Sequence, residues 1–128
     1  ELTMAGLRSR NKGKRGEREA AAELARLFGV EARRGCQFAG GPDSPDIRTS
    51  IQGIHWEVKR TERLSVYTAV GQAAADAGED EVPVVLHRAN GKEWIAVCRL
   101  EDLPKLARML AAYPLPTGGI PCNRTECP

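Results

Sequence analysis

The chain has 128 residues, 41% of them hydrophobic, and a formal net charge of +2 at neutral pH. That is enough apolar material for one modest core and too much for a chain that stays disordered. No apolar run reaches the roughly 18 residues that a membrane span needs, and no signal-peptide pattern is present, which predicts a soluble, cytoplasmic protein with no membrane partner.

Glu1-Leu2-Thr3 precede Met4 and are left out of the fold reading. Arg8, Arg10, Lys12, Lys14 and Arg15 then form a basic run with no acid inside it. Such a run suits phosphate neutralisation and equally suits a solvated terminus. Residues 1–15 are therefore expected to be a basic N-terminal arm, ahead of a domain over residues 16–113 and a tail over residues 114–128. Gly16 to Phe28, rich in Ala, Leu, Glu and Arg and stopped by Gly29, predicts a helix. Val30 to Arg34 predicts a short strand, Gly35 to Pro45 a loop, and Asp46 to Thr49 a second strand. Gln52-Gly53 makes a hairpin turn into Ile54 to Arg60, where Ile54, Trp56 and Val58 alternate with His55, Glu57 and Lys59. Tyr67 to Ala77 predicts an Ala-rich helix, and the apolar run Val82 to His87 a strand covered on both faces. Asn90-Gly91 turns the chain into a strand over Glu93 to Cys98. Glu101 to Tyr113 predicts a last helix, with Pro104 in its first turn. The fold class is α/β: a single domain with a mixed central sheet of about five strands flanked by helices.

The four cysteines carry no metal signature. Cys36 and Cys98 are isolated, and Cys122 and Cys127 lack a nearby His or a second pair. Trp56 and Trp94 read as core residues, and His87 as incidental.

Period-two alternation places Glu57 and Lys59 on one face of a strand, about 7 Å apart at Cα. The acid suits a hard cation, and the amine suits a water or phosphate oxygen beside it. A solvent-facing ion pair is the alternative. Asp46, across the hairpin, brings a second carboxylate towards Glu57, and two converging carboxylates repel unless a cation lies between them; an Asp that merely ends a turn is the alternative. Glu17 falls within the apolar stripe of Ala20, Ala21, Leu24, Leu27 and Phe28, whereas Arg18, Glu19, Glu23 and Arg26 point away. An acid on that stripe needs a partner or a metal, although the helix dipole also favours acids near an N-terminus. His55 shares the face of Glu57 and reads as structural. Gln72 points away from the apolar side of its helix, as a surface or DNA-contacting residue.

Taken together, Lys12-Gly13-x-x-x-Glu17-Arg18-Glu19, Pro45-Asp46 and Glu57-Val58-Lys59 resemble the Holliday junction resolvases of archaea and their phage relatives, members of the PD-(D/E)xK nuclease superfamily. Val66 to Ala73, where Tyr67 precedes Gln72 by five positions, is similar to the segment that follows the lysine in that family. The likeness runs from Lys12 to about Leu110. It implies that Glu17, Asp46 and Glu57 bind divalent metal, magnesium or manganese in its place, with Lys59 beside the attacking water. It also implies a homodimer acting on branched DNA, the four-way junction, with no small-molecule cofactor. The loop before Asp46 lacks a clear match to the serine that archaeal members carry, so Ser44 is left out of the site. Two other readings stay open. One is a PD-(D/E)xK nuclease of repair or restriction type acting on linear or single-stranded DNA; the other is a non-catalytic DNA-binding module. The short chain favours recognition of shape over sequence.

Overall fold

A computed structural model of the chain describes residues 4–35 and 45–113, with side chains from residue 13 onward. Most of the loop 35–45 and the whole tail 114–128 therefore lie outside the described residues, together with Cys36, Ser44, Cys122 and Cys127. The elements are α1 (Met4–Phe28), β1 (Ala32–Arg34), β2 (Ile47–Thr49), β3 (Ile54–Lys59), α2 (Val66–Asp76), β4 (Val82–His87), β5 (Ile95–Val97), a 3-10 turn (Leu100–Asp102) and α3 (Leu103–Ala111).

The five strands form one sheet in chain order, β1-β2-β3-β4-β5. Every neighbouring pair is antiparallel except β3 and β4, which run parallel and are joined through α2. A parallel pair needs a crossover of this length, whereas β2 and β3, and β4 and β5, are joined through short turns. Gly53 and Gly91 sit in two of those turns with φ of 91° and 70°, a region that L-residues avoid.

Each face of the sheet has its own apolar layer. On one, Ala20, Ala21 and Leu24 of α1 pack on Ile47, Ile54, Trp56, Val82, Val84 and Leu86, with Leu106, Met109 and Leu110 of α3 alongside. On the other, Ala69 and Ala73 of α2 close over Val85. β4 is thus covered on both sides, as its unbroken apolar run requires. Trp56 is buried and Trp94 packs at the edge of the first layer, both as expected.

The main departure is at the start. α1 begins at Met4, three turns before Gly16, so the basic run is carried on helix backbone and is not a separate arm ahead of the helix. Residues 4–15 contain no proline, and Ala, Leu, Arg and Lys among them are good helix formers. β5 and α3 are shorter than predicted, and a 3-10 turn precedes α3. Nor is Glu19 an idle surface acid. It pairs with Arg88, and Arg60 Nε lies 3.9 Å from it. Arg60 in turn donates to the Arg88 carbonyl at 3.2 Å and to Asn90 Oδ1 at 3.0 Å, tying α1 to the ends of β3 and β4. His87 likewise has a partner, the Thr61 carbonyl at 3.0 Å. Glu23 pairs with Arg26 within its own helix, as a surface acid should.

Gly16 is where this clamp meets α1. A Cβ there would stand 2.6 Å from Arg60 Cβ, whereas one on Gly13 would meet nothing within 4 Å. The two glycines should therefore respond oppositely to alanine. Gly13→Ala should stabilise by about 0.5–1 kcal/mol through helix propensity. Gly16→Ala should destabilise by about 1–3 kcal/mol through overpacking. Urea midpoints of the two variants measure this, and equal shifts would show that α1 is not seated against Arg60.

Candidate active site

The site is assembled where β1, β2 and β3 meet. A parallel ladder pairs residues on the same face, and Glu57 pairs with Val85 while His55 and Lys59 pair with Pro83 and His87. Val85 belongs to the layer under α2, so His55, Glu57 and Lys59 face the α2 side, and Trp56 faces α1. The alternation expected for this strand holds. Its polar side is nevertheless largely enclosed: His55 is fully buried and the Glu57 side chain is only 13% exposed.

Asp46 is held by its backbone on both sides. Its N–H donates to the Trp56 carbonyl at 3.0 Å, and its carbonyl accepts from Gly35 N–H at 2.8 Å. Its side chain folds back onto β3, where Oδ2 accepts the Val58 N–H at 2.8 Å. Gly35 has no substitute at this junction, since a Cβ on it would stand 2.1 Å from the Pro45 carbonyl oxygen. That glycine was not read from the sequence as part of the site, because only the close approach of two distant segments reveals its role.

The buried Asp46 carboxyl is pushed up to about 7 from its ordinary value of 3.8. Burial is the largest cause; the Val58 N–H opposes it, and the negative charges of Glu57 and Glu17 and a hydrogen bond with Glu57 add to the rise. Asp46 and Glu57 thus converge as expected, with Glu17 close enough to be felt. A divalent cation relieves such crowding by replacing the proton that the pair otherwise needs.

Glu17 is directed elsewhere as well. Arg34 Nε donates to its Oε2 at 2.6 Å, and both side chains are partly buried. The partner that the apolar stripe demanded is therefore this guanidinium, from a strand end that sequence reasoning had not singled out. Among the described residues, no three ligand side chains are already spaced to hold one metal ion. The donor set fits a hard cation in its chemistry, with Asp46 and Glu57 in place and Glu17 tethered to Arg34.

Lys59 Nζ donates to Gln72 Oε1 at 3.4 Å, which puts Gln72 of α2 beside the site while leaving it exposed. His55 Nε2 lies 3.3 Å from Glu57 Oε1. Its pKa is raised chiefly by that hydrogen bond, against burial, with the charges of Glu57, Glu81 and Asp76 adding to the rise. Of the basic run, Lys14 and Arg15 are exposed; Arg8, Arg10 and Lys12 lie on the α1 backbone, and their side chains fall outside the described residues.

A second concavity, of about 230 Å³, lies between α1, α3 and the sheet. Leu24, Phe28, Trp94 and Leu110 line it, and among the described residues Glu23 is its one charged neighbour. It sits on the α1 side of the sheet, away from the face that carries Glu57. No family model, curated protein or solved structure matches the chain. Among the described residues, no helix is long and apolar enough to cross a membrane.

The raised Asp46 pKa has a consequence for stability. A carboxyl whose folded pKa lies above its unfolded one contributes fully below the unfolded value, and the contribution is lost as pH rises through about 7. Asp46→Asn keeps an acceptor for Val58 but cannot ionise. In chelated buffer it should stabilise the protein more at pH 8 than at pH 5, by on the order of 1–2 kcal/mol. Denaturant titrations at the two pH values measure the difference, and equal gains would mean that Asp46 is not held neutral.

Proposed function

We propose that the chain is a metal-dependent DNA endonuclease of the PD-(D/E)xK type, related to the archaeal-type Holliday junction resolvases and cutting four-way junctions in the cytoplasm. The observation that carries this reading is the enforced proximity of Asp46 and Glu57, with Lys59 one strand-period further along the same face. Two acids crowded in this way, with the Asp46 pKa pushed up to about 7, support a cation between them over a packing role.

When bound, magnesium or manganese would polarise the scissile phosphate and lower the pKa of an attacking water. Asp46 and Glu57 would supply anionic oxygens to the ion, and Glu17 would join them by turning from Arg34. Release from Glu17 leaves the Arg34 guanidinium free to meet a phosphate oxygen, which it suits by charge and by its planar set of donors. Lys59, whose Nζ donates to Gln72 Oε1 at 3.4 Å, would hold a water or stabilise negative charge developing on the phosphate. Lys14 and Arg15 add cationic surface on α1 ahead of Glu17.

The four-way junction, and a homodimer acting on its two opposed strands, come from the residue pattern from Lys12-Gly13 to Gln72. The assay that tests both levels compares a synthetic four-way junction with matched linear duplex, with magnesium and with chelator. Preferential, magnesium-dependent cutting of the junction is expected. Equal cutting of both substrates would keep the nuclease and replace the junction by linear DNA. No magnesium-dependent cutting of any DNA would remove the nuclease reading itself. Asp46→Asn and Glu57→Gln should each abolish cutting while leaving junction affinity near wild type, since each removes a charge and little shape.

Binding is tested apart from chemistry by exchanging Arg10, Lys14 and Arg15 for Gln. For every phosphate that is no longer neutralised, the log–log salt slope should become shallower by about 0.9, with little change in the single-turnover rate at saturating enzyme. An unaltered slope would mean that DNA phosphates are held by other cationic side chains.

A further inference from the structure

His55 is a fully buried imidazole whose place in the fold is not accounted for by packing alone. Both of its ring nitrogens face carboxylates. Nε2 is 3.3 Å from Glu57 Oε1, within hydrogen-bonding distance. Among the described residues Nδ1 has no hydrogen-bond partner, and Glu81 Oε1 is 4.0 Å away. Glu81 is itself held: its Oε1 accepts the Gly78 N–H at 2.7 Å, and its own N–H donates to the Gly78 carbonyl at 3.0 Å. Glu57 and Glu81 therefore lie against different ring nitrogens of His55, the second from the loop after α2.

A buried polar group is expensive unless it has a partner, and a phenylalanine or leucine would fill the same space at no such cost. Position 55 nevertheless carries imidazole, two residues from Glu57 on the same strand face. With Oε1 taken by His55, Glu57 keeps Oε2 as the oxygen not engaged in that bond. The Glu57 side chain is too enclosed for water to replace the imidazole freely.

Resting on the nuclease reading above, we propose that His55 is a positioning residue for the metal-binding carboxylate Glu57, with the Glu81 carboxylate 4.0 Å from its other ring nitrogen. It touches neither substrate nor the reacting atoms. Its work is to limit Glu57 to one orientation before a cation arrives, so that binding does not have to order the side chain. Partners behind metal-ligating groups act in this way, and losing one typically weakens metal affinity by about 10- to 100-fold.

The test is manganese binding by the full chain without DNA, followed by electron paramagnetic resonance of the free ion at fixed pH. Wild type is compared with His55→Phe, His55→Gln, Glu81→Gln and, as the loss of a ligand, Asp46→Asn; circular dichroism and a thermal melt report on folding. His55→Phe should raise the dissociation constant for manganese by about tenfold or more. His55→Gln, which keeps an N–H, should recover part of the loss, and Glu81→Gln should shift the constant in the same direction by less. A folded His55→Phe that binds manganese like wild type overturns the proposal, as does a loss of the same size in His55→Gln, which would reduce the position to packing. Should His55→Phe not fold, the partly exposed Glu81 carries the test, and an unshifted constant in Glu81→Gln overturns the proposal. A wild type that binds manganese no better than Asp46→Asn removes the metal site itself, and the proposal with it; that outcome is distinct from a wild-type site indifferent to His55.

Discussion

The structure depends on one backbone contact made by a side chain: Asp46 Oδ2 accepting the Val58 N–H. This contact lies beyond the single register pair of β2 and β3, Ile47 with Trp56. It takes up a donor that would otherwise lack a partner as the strands part, and in doing so it carries a carboxylate into an enclosed place beside Glu57. Burial then raises the Asp46 pKa, and the neighbouring negative charges raise it further. A structural hydrogen bond and an electrostatic conflict are thus made by the same two oxygens. Stability alone would favour a neutral residue here; a carboxylate suits a cation.

The elements around this point serve to hold it. Gly35 lets the end of β1 close on the Pro45-Asp46 peptide, which no residue with a side chain would permit. Arg60 lies against Gly16 and, with Arg88 and Glu19, clamps α1 to the ends of β3 and β4. Glu17 is the residue directly after Gly16, so the clamp fixes the height at which Glu17 leaves its helix. Arg34 then engages Glu17. Partly buried opposite charges of this kind neutralise each other at a cost in desolvation.

The two faces of the sheet divide the labour. The α1 and α3 side holds the larger apolar layer, while the α2 side mixes a small apolar patch with His55, Glu57 and Lys59. α2 closes over Val85 with alanines, Ala69 and Ala73, so that it approaches the sheet closely and brings Gln72 within reach of Lys59.

Local sequence determined the kind and order of the elements, because periodicity and turn chemistry are properties of neighbouring residues. β4 has the bounds its apolar run predicted, the glycines of Gln52-Gly53 and Asn90-Gly91 adopt the backbone their turns require, and Glu57 and Lys59 share a face because alternation leaves no other choice. The inward phase of Glu17 was legible on the same ground. What each inward group would meet was not. Arg34 as the partner of Glu17, Arg88 as the partner of Glu19, and the necessity of Gly35 all join segments far apart in the chain, and register and layer order decide them. His55 is the clearest instance. Alternation marks it only as belonging to the polar side of β3, and a polar side is ordinarily the wet one. Once α2 lies over that side the imidazole is sealed between two carboxylates, because burial belongs to the element that covers a face and not to the strand that presents it.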